Sequence, residues 1–319
     1  MMNRRGLLRT TGGLLLSSLP TPAFPRTLRS GFSFALIGDL PYSDSDEPRL
    51  AEMLADTDRD ALSFVLHVGD IKASREPCSD ALYTRRKAIF ERSAHPLVLL
   101  AGDNEWTDCH RSSAGGYDPR ERLVALRETF WSKPGTLGGS AAANGALSIE
   151  RQPGYPENAR WRIGDVHFVA LHVVGSNNGL GEYPGSVAEF EHREAANRRW
   201  LDEAMELARR HKADALVLAM HANPEFGRSK EKGFDSIKQQ LMGVAHAFTQ
   251  PILLLHGDSH TFRVDQPLRD AQGRTLEHFT RVECFGFPRT GSWVRISYDP
   301  NLATRFTVAI RDVPIRSNG

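Results

Sequence analysis

The chain has 319 residues, of which 40% are hydrophobic and 25% are charged, and its formal net charge at pH 7 is +1. This length and composition are typical of a soluble globular protein with one large domain or two small ones. No stretch reaches the roughly 18–20 apolar residues that a membrane-spanning helix needs. The small net charge excludes a nucleic-acid partner that is held by bulk electrostatic attraction.

The first 24 residues have the pattern of an export signal. A twin arginine, Arg4-Arg5, precedes a short apolar run over residues 12–19, and small residues suited to cleavage follow at 21–23. We therefore predict a twin-arginine signal peptide over residues 1–24, a periplasmic or secreted location, and a folded domain over residues 30–319. The alternative is a cytoplasmic N-terminus with a chance pair of arginines.

Beyond this segment, short apolar runs alternate with segments of helical periodicity, which is typical of an α/β fold. In chain order the pattern predicts a strand over 32–38, a helix over 47–60, a strand over 62–68, a helix over 79–93, a strand over 96–101 and a helix over 120–131. The chain continues with a loop rich in Gly, Ala and Ser over 135–146, a hairpin over 161–174 and the longest helix over 187–210. A strand is then predicted over 215–220, a helix over 234–248 and a strand over 252–256. The last predicted elements are three strands, over 278–285, 293–297 and 305–310. No repeat or linker in the sequence indicates a second domain.

Four of these strands end in the same dipeptide, Gly-Asp. The aspartates are Asp39, Asp70, Asp103 and Asp258, whereas the fifth Gly-Asp pair, at Asp165, lies inside the predicted hairpin and indicates a turn. Ligands of open α/β sheets bind beyond the carboxyl ends of the strands, so we expect the four carboxylates to converge there. Because converging carboxylates repel one another, the pattern predicts either a site for cations or four unrelated turns.

Two histidines follow strand ends at the same edge. His221 comes directly after the strand over 215–220, and His260 stands two residues after Asp258. Either residue alone is typical of an ordinary polar loop. Beside four strand-end aspartates, we predict that both are metal ligands. His67 and His256 lie within strands, and we expect them to be buried and hydrogen-bonded.

In this order the motifs resemble the five sequence blocks of the calcineurin-like metallophosphoesterase superfamily, which includes the purple acid phosphatases. The resemblance runs from about residue 32 to residue 260. It rests on Ile37-Gly38-Asp39, His67-Val68-Gly69-Asp70, Gly102-Asp103-Asn104-Glu105, Met220-His221 and Gly257-Asp258-Ser259-His260. It implies a four-layer α/β sandwich with two central mixed β-sheets flanked by helices. It also implies a metal-dependent phosphoesterase that hydrolyses a phosphate mono- or diester with a hydroxide activated by two metal ions.

The resemblance also implies a set of site residues. One metal ion would be held by Asp39, Asp70 and His260, and the other by Asp70, Asp103, His221 and Asp258. The catalytic residues would be His221 and Asn104, whose amide would donate a hydrogen bond to a phosphate oxygen.

The motifs depart from the family pattern by losing imidazoles. The family's Asp-x-His continues here as Leu40-Pro41, with Tyr42 as a possible substitute donor, and Asn104 replaces the family's leaving-group histidine. Asp103 stands where the family has asparagine, and Asp258 where it has histidine. The shift toward carboxylate favours two divalent or trivalent ions such as Mn, Fe or Mg over Zn.

These departures leave two other hypotheses open. A catalytically degenerate relative would bind a ligand or partner without hydrolysis, and a different metal-dependent hydrolase would act on a carboxylic ester or another non-phosphorus bond. For an active phosphoesterase, the expected partner is a phosphorylated small-molecule substrate. The sequence gives no oligomeric state.

Three polar residues near the motifs have two interpretations each. His110 is either the general acid or an exposed loop residue, and Arg111 is either a phosphate contact or a solvated loop charge. Lys72 is either a phosphate contact or a surface lysine. Trp106 and Trp131 are expected to serve packing.

The three cysteines suit an oxidising compartment. Cys78 and Cys109 each follow a Gly-Asp strand end by a few residues, so their loops are expected on one face and a disulfide between them is predicted. Cys284, in an apolar run, is expected to be a buried free thiol.

Overall fold

The computed structural model describes residues 30–139, 147–227 and 230–314. The predicted signal peptide lies outside these residues, so it stays a prediction. No helix in the described part of the chain is long and apolar enough to cross a bilayer.

Two mixed β-sheets form the centre of the fold. The first contains β1 (Phe32–Ile37), β2 (Val65–His67), β3 (Pro96–Leu99), β4 (Leu137–Gly138), β12 (Ser292–Tyr298) and β13 (Phe306–Asp312), in the order β13-β12-β1-β2-β3-β4. The second contains β5 (Glu150–Gln152), β6 (Tyr155–Ile163), β7 (Val166–Ala170), β8 (Ala215–Ala219), β9 (Ile252–His256), β10 (Arg263–Asp265) and β11 (Phe279–Glu283), in the order β10-β11-β9-β8-β7-β6-β5. Strands β1, β2 and β3 run parallel in one sheet, and β7, β8, β9 and β11 run parallel in the other.

Within the described residues, five helices flank the sheets: α1 (Glu47–Thr57), α2 (Asp80–Phe90), α3 (Pro119–Phe130), α4 (Ser186–Arg210) and α5 (Asp235–Ala247). Short 3-10 turns lie at Asp44–Asp46, Thr107–His110, Ser112–Ala114 and Lys232–Phe234, and a single helical turn lies at Gly175–Asn178. Local chemistry explains two of the helix starts. The hydroxyl of Ser79 accepts a hydrogen bond from the Leu82 amide at 3.2 Å, and Asp118 caps α3 ahead of a proline in its first turn.

Three apolar cores separate four layers. Helices α1, α2 and α3 cover the outer face of the first sheet, and α4 and α5 cover the outer face of the second. The core between the sheets contains Phe34, Phe64 and Phe168, with ring centroids 4.7 Å apart for the first pair and 5.4 Å apart for the second. This arrangement confirms the four-layer α/β sandwich that the resemblance implied.

The structure corrects the bounds of two predicted elements. Part of the expected loop over 135–146 is strand β4, which pairs with β3, and residues 140–146 lie outside the described part. Gly138 permits this pairing because its φ is 59° and a Cβ would lie 2.9 Å from the carbonyl oxygens of Ser93 and His95. The predicted hairpin begins earlier than expected, at β6, and its preceding strand β5 contains a register shift.

The predicted disulfide is present. Cys78 and Cys109 are bonded with their Cα atoms 5.8 Å apart, and both residues are fully buried. The bond ties the segment after β2 to the 3-10 turn after β3. Cys284 is the buried free thiol that the sequence predicted.

Removing the disulfide is expected to destabilise the protein. The bridge spans a sequence separation of 31 residues. In the chain-entropy model its loss costs about 3–4 kcal/mol of unfolding free energy. Urea unfolding of the double variant Cys78→Ser/Cys109→Ser measures this loss against the wild type, with and without reductant. Equal midpoints for variant and oxidised wild type would contradict a stabilising role.

Candidate metal centre

The strand ends place three aspartates in unusual backbone conformations. Asp39, Asp70 and Asp258 follow β1, β2 and β9 with φ of 54°, 58° and 76°, and His260 has φ of 57°. Non-glycine residues seldom adopt this left-handed region, and Asp tolerates it better than most. Such conformations persist where surrounding structure holds them, and they are enriched at functional sites.

The glycine before each aspartate has a role that differs between positions. Gly69 has φ of 105°, so the sharp turn expected at a strand end does require glycine there. At Gly102 and Gly257 the requirement is space, because a Cβ would collide with the carboxylates of Asp70 and Asp39 respectively. Glycine therefore lets the strand ends approach the carboxylates closely.

The first group of possible ligands contains Asp39, Asp70 and His260. One donor atom from each lies within 4.8 Å of the others. His260 Nε2 is 3.5 Å from Asp39 Oδ1, and the Asp258 amide donates to the same oxygen at 2.9 Å. The hydroxyl of Tyr42 donates to Asp70 Oδ2 at 2.7 Å and lies 2.9 Å from His260 Nε2. Tyr42 thus contacts two of the three possible ligands in this group.

The second group contains Asp70, Asp103 and His221, again with donor atoms within 4.8 Å of one another. His221 Nε2 is 3.0 Å from Asp103 Oδ1 and 3.4 Å from Asp70 Oδ1. Its Nδ1 donates to the Val68 carbonyl at 2.9 Å, which fixes the ring with Nε2 toward the carboxylates. Asp258 lies beside this group, with its Oδ1 3.8 Å from His221 Nε2.

Neighbouring polar groups hold the carboxylates in place. The Asn104 amide group donates to Asp70 Oδ2, and its backbone N–H donates to Asp70 Oδ1 at 3.1 Å. Ser176 donates to Asp103 Oδ2 at 2.9 Å. Buried Glu105 accepts from the backbone amides of Gly102 and Asp70, so it ties two strand ends together.

The electrostatics of the cluster follow from burying several carboxylates around one imidazole. Burial raises the pKa of Asp39 and Asp70 above the usual aspartate range, and it raises the pKa of Asp258 to about 7. Although burial opposes the charged form of His221, the carboxylate of Asp70 and the hydrogen bond to Asp103 hold the pKa of His221 well above its ordinary value. The carboxylates thus favour a positive charge at the centre of the cluster.

The donor set and the space around it fit metal ions. Carboxylate and imidazole donors suit Mn and Fe, and carboxylate-rich sites also suit Mg. Gly175 faces the cluster, and a Cβ there would lie 2.5 Å from Oδ1 of both Asp103 and Asp258. A glycine at this position therefore keeps room beside the two carboxylates.

Other residues that the sequence singled out have defined surroundings. The interpretation of Lys72 as a surface lysine was wrong, because the residue is fully buried and donates to the carbonyls of Ala73 at 2.8 Å and Asn104 at 2.7 Å. Arg111 forms an ion pair with Asp108, so it is not a free loop charge. His110 Nδ1 lies 2.6 Å from the Thr107 carbonyl.

The expectations for two strand histidines are confirmed. Buried His67 bonds through Nε2 to the Leu40 carbonyl at 2.9 Å, and buried His256 bonds through Nδ1 to the Gly257 carbonyl at 2.9 Å. Trp106 and Trp131 are both buried in the core against the first sheet, as predicted.

Three contributors were missed by the sequence analysis. Gly175 and Ser176 come from a turn with no recognisable motif, in which Ser176 contacts Asp103 with a left-handed φ of 49°. The Cys284 thiol lies 3.7 Å from Asp39 Oδ2, a contact that its apolar sequence context does not indicate. Tyr42 was considered a substitute donor, and its position in the first group agrees with that interpretation.

The sequence matches no protein-family model and no curated protein. The structure, however, resembles solved metallophosphoesterases. A dimetal phosphatase from Danio rerio superposes with a TM-score of 0.54 at 12% identity, covering 89% of this chain and 96% of that one. A purple acid phosphatase from yellow lupin seeds superposes with a TM-score of 0.50 at 14% identity. That match covers 89% of this chain and 52% of the lupin enzyme, about half of its length.

The chain therefore has the calcineurin-like metallophosphoesterase fold, and the resemblance read from the motifs is confirmed at this level. Within that class, its structure is similar to a dimetal phosphatase and to a purple acid phosphatase.

Proposed function

We propose that this protein is a metal-dependent phosphoesterase that hydrolyses a mono- or diester of a phosphorylated small molecule. The observation that carries the proposal is the convergence of two possible ligand groups that share Asp70. The fold of dimetal and purple acid phosphatases supports it. The twin arginine supports export to the periplasm or beyond, which fractionation of cells expressing the full chain would check.

The residues of the chain have separate roles in this proposal. Asp39, Asp70 and His260 would hold one ion, and Asp70, Asp103, His221 and Asp258 the other. Tyr42 supplies the donor that the first motif lacks. Two ions bound there would polarise the phosphoryl group and activate water. Mn, Fe or Mg suits this carboxylate-rich set better than Zn.

Asn104 positions the shared carboxylate and can turn to a substrate. Its amide nitrogen donates to Asp70 and lies 3.3 Å from the Tyr42 hydroxyl. By exchanging the weaker of these bonds, it can donate to a phosphate oxygen. An amide cannot protonate a leaving group, so Asn104 orients the ester without acting as a general acid.

Metal analysis and a substrate panel test the proposal. We expect about two ions per chain by elemental mass spectrometry and turnover of 4-nitrophenyl phosphate or bis(4-nitrophenyl) phosphate. Less than one ion per chain and no turnover would instead support a degenerate protein that binds without hydrolysis. Turnover of 4-nitrophenyl acetate alone would support the carboxylic-ester alternative.

A further inference from the structure

A second polar cavity adjoins the candidate metal centre. This groove, of about 620 Å³, is lined chiefly by Asn223, Phe226, Ser259, Arg263, Arg269 and Arg281. We call it the arginine groove. Its position follows from the topology, because Arg263 belongs to β10 and Arg281 to β11, the two strands beyond β9 in the second sheet.

The groove and the metal centre share a wall. The backbone amide of Asn223 donates to Asp258 Oδ2 at 3.0 Å, while its side-chain oxygen accepts from Arg281 at 3.3 Å. The Asn223 amide group also donates to Ser259, the residue after Asp258, at 3.0 Å. Asn223 therefore lies between the carboxylate of Asp258, a candidate metal ligand, and the guanidinium of Arg281.

The three arginines differ in how firmly they are held. Arg281 is buried and forms two hydrogen bonds to Asp265, so its charge is already paired. Arg263 is 38% exposed and lies 3.8 Å from Glu283 Oε2, a long contact. Exposed Arg269 uses one nitrogen for the carbonyls of Gln266 and Leu268, at 2.6 and 2.9 Å. Arg263 and Arg269 thus retain donors for an incoming anion.

The balance of the lining also favours an anion. Because Arg281 is paired with Asp265, the lining guanidiniums left to face the lining carboxylate of Glu225 are those of Arg263 and Arg269. The ring of Phe226 lies 5.5 Å below the Arg281 guanidinium and provides an apolar wall. Arginine binds carboxylate and phosphate groups with paired hydrogen bonds, and these are stronger than bonds between neutral groups.

We propose that the arginine groove receives a second anionic group of the substrate, a carboxylate or phosphate carried by the leaving group. The phosphoryl group to be cleaved lies at the metal centre, and Asn223 stands between the two anions. This inference rests on the proposed function and narrows its substrate class to phosphate esters with two anionic groups. Arg263 and Arg269 are the residues that select them.

Binding of two matched phosphonates tests the groove without requiring turnover. The probes are 4-carboxybenzylphosphonate and 4-carbamoylbenzylphosphonate, which differ in one negative charge and are not hydrolysed. Calorimetry with the Mn-loaded full chain is expected to show about tenfold tighter binding of the carboxylate compound, as for a charge-assisted hydrogen bond. The double variant Arg263→Gln/Arg269→Gln is expected to bind the two compounds equally.

Arg274→Gln is the matched control, because Arg274 is 76% exposed and pairs with Asp270, and neither residue lines the groove. This variant is expected to keep the tenfold ratio. Equal affinity of the wild type for both compounds, no binding of either, or a ratio kept by the double variant would overturn the proposal. Failure of the proposed function has a different signature, namely no turnover of aryl phosphates despite a preserved tenfold ratio.

Discussion

Asp70→Asn is expected to lower the hydrolysis of 4-nitrophenyl phosphate by more than about a hundredfold, beyond the loss seen for residues that only support a ligand. Asp70 belongs to both ligand groups, and its two oxygens face different partners, His221 at 3.4 Å and Tyr42 at 2.7 Å. An amide has one acceptor oxygen and no charge, so it cannot serve both groups. The bound ions counted by elemental mass spectrometry should fall together with the rate.

Asp235→Asn is the control for this change. Asp235 lies at the start of α5, is 58% exposed and pairs with Lys238 at 3.3 Å, so its loss should leave metal content and rate unchanged. Thermal melting of both variants establishes that each is folded. A folded Asp70→Asn protein with full activity and a full complement of ions would refute the shared role of Asp70.

Gly175→Ala is expected to reduce activity by about ten- to a hundredfold, in the range for disturbed metal surroundings. The added methyl group would lie 2.5 Å from Oδ1 of both Asp103 and Asp258. One of the carboxylates, or the turn itself, must therefore move, and the second ligand group loses its geometry. Metal titration should show that one ion binds more weakly while the other is less affected.

Gly243→Ala makes the same chemical change in α5, where a Cβ meets no atom within 4 Å apart from the neighbouring backbone of the helix. We expect it to keep full activity and to stabilise the helix by up to about 1 kcal/mol. If Gly175→Ala matched this control in rate and in metal affinity, the space beside Asp103 and Asp258 would have no functional meaning.

The fold and the strand-end residues were predictable because both have local sequence signals. Buried parallel strands appear as continuous apolar runs, and the Gly-Asp pair after each run identified Asp39, Asp70, Asp103 and Asp258. The topology then brings these residues together, since the carboxyl ends of parallel strands share one edge.

The remaining features depend on contacts between distant segments. Ser176 reaches Asp103 through a left-handed turn, and Lys72 is buried because two carbonyls accept its hydrogen bonds. Neither fact leaves a periodicity or motif in the sequence. The arginine groove is similar, because Arg263 and Arg281 become neighbours through the pairing of β10 with β11, and Arg269 joins them from the segment that connects the two strands.

The ligand groups draw on both sheets: Asp39, Asp70 and Asp103 follow strands of the first, whereas His221, Asp258 and His260 follow strands of the second. An ion bound by both sets would cross-link the two sheets, which otherwise pack against each other through apolar side chains. Occupancy would then raise resistance to unfolding in proportion to the logarithm of free ion concentration. Under the proposed twin-arginine export, which follows folding, the ions would be bound before the chain leaves the cytoplasm.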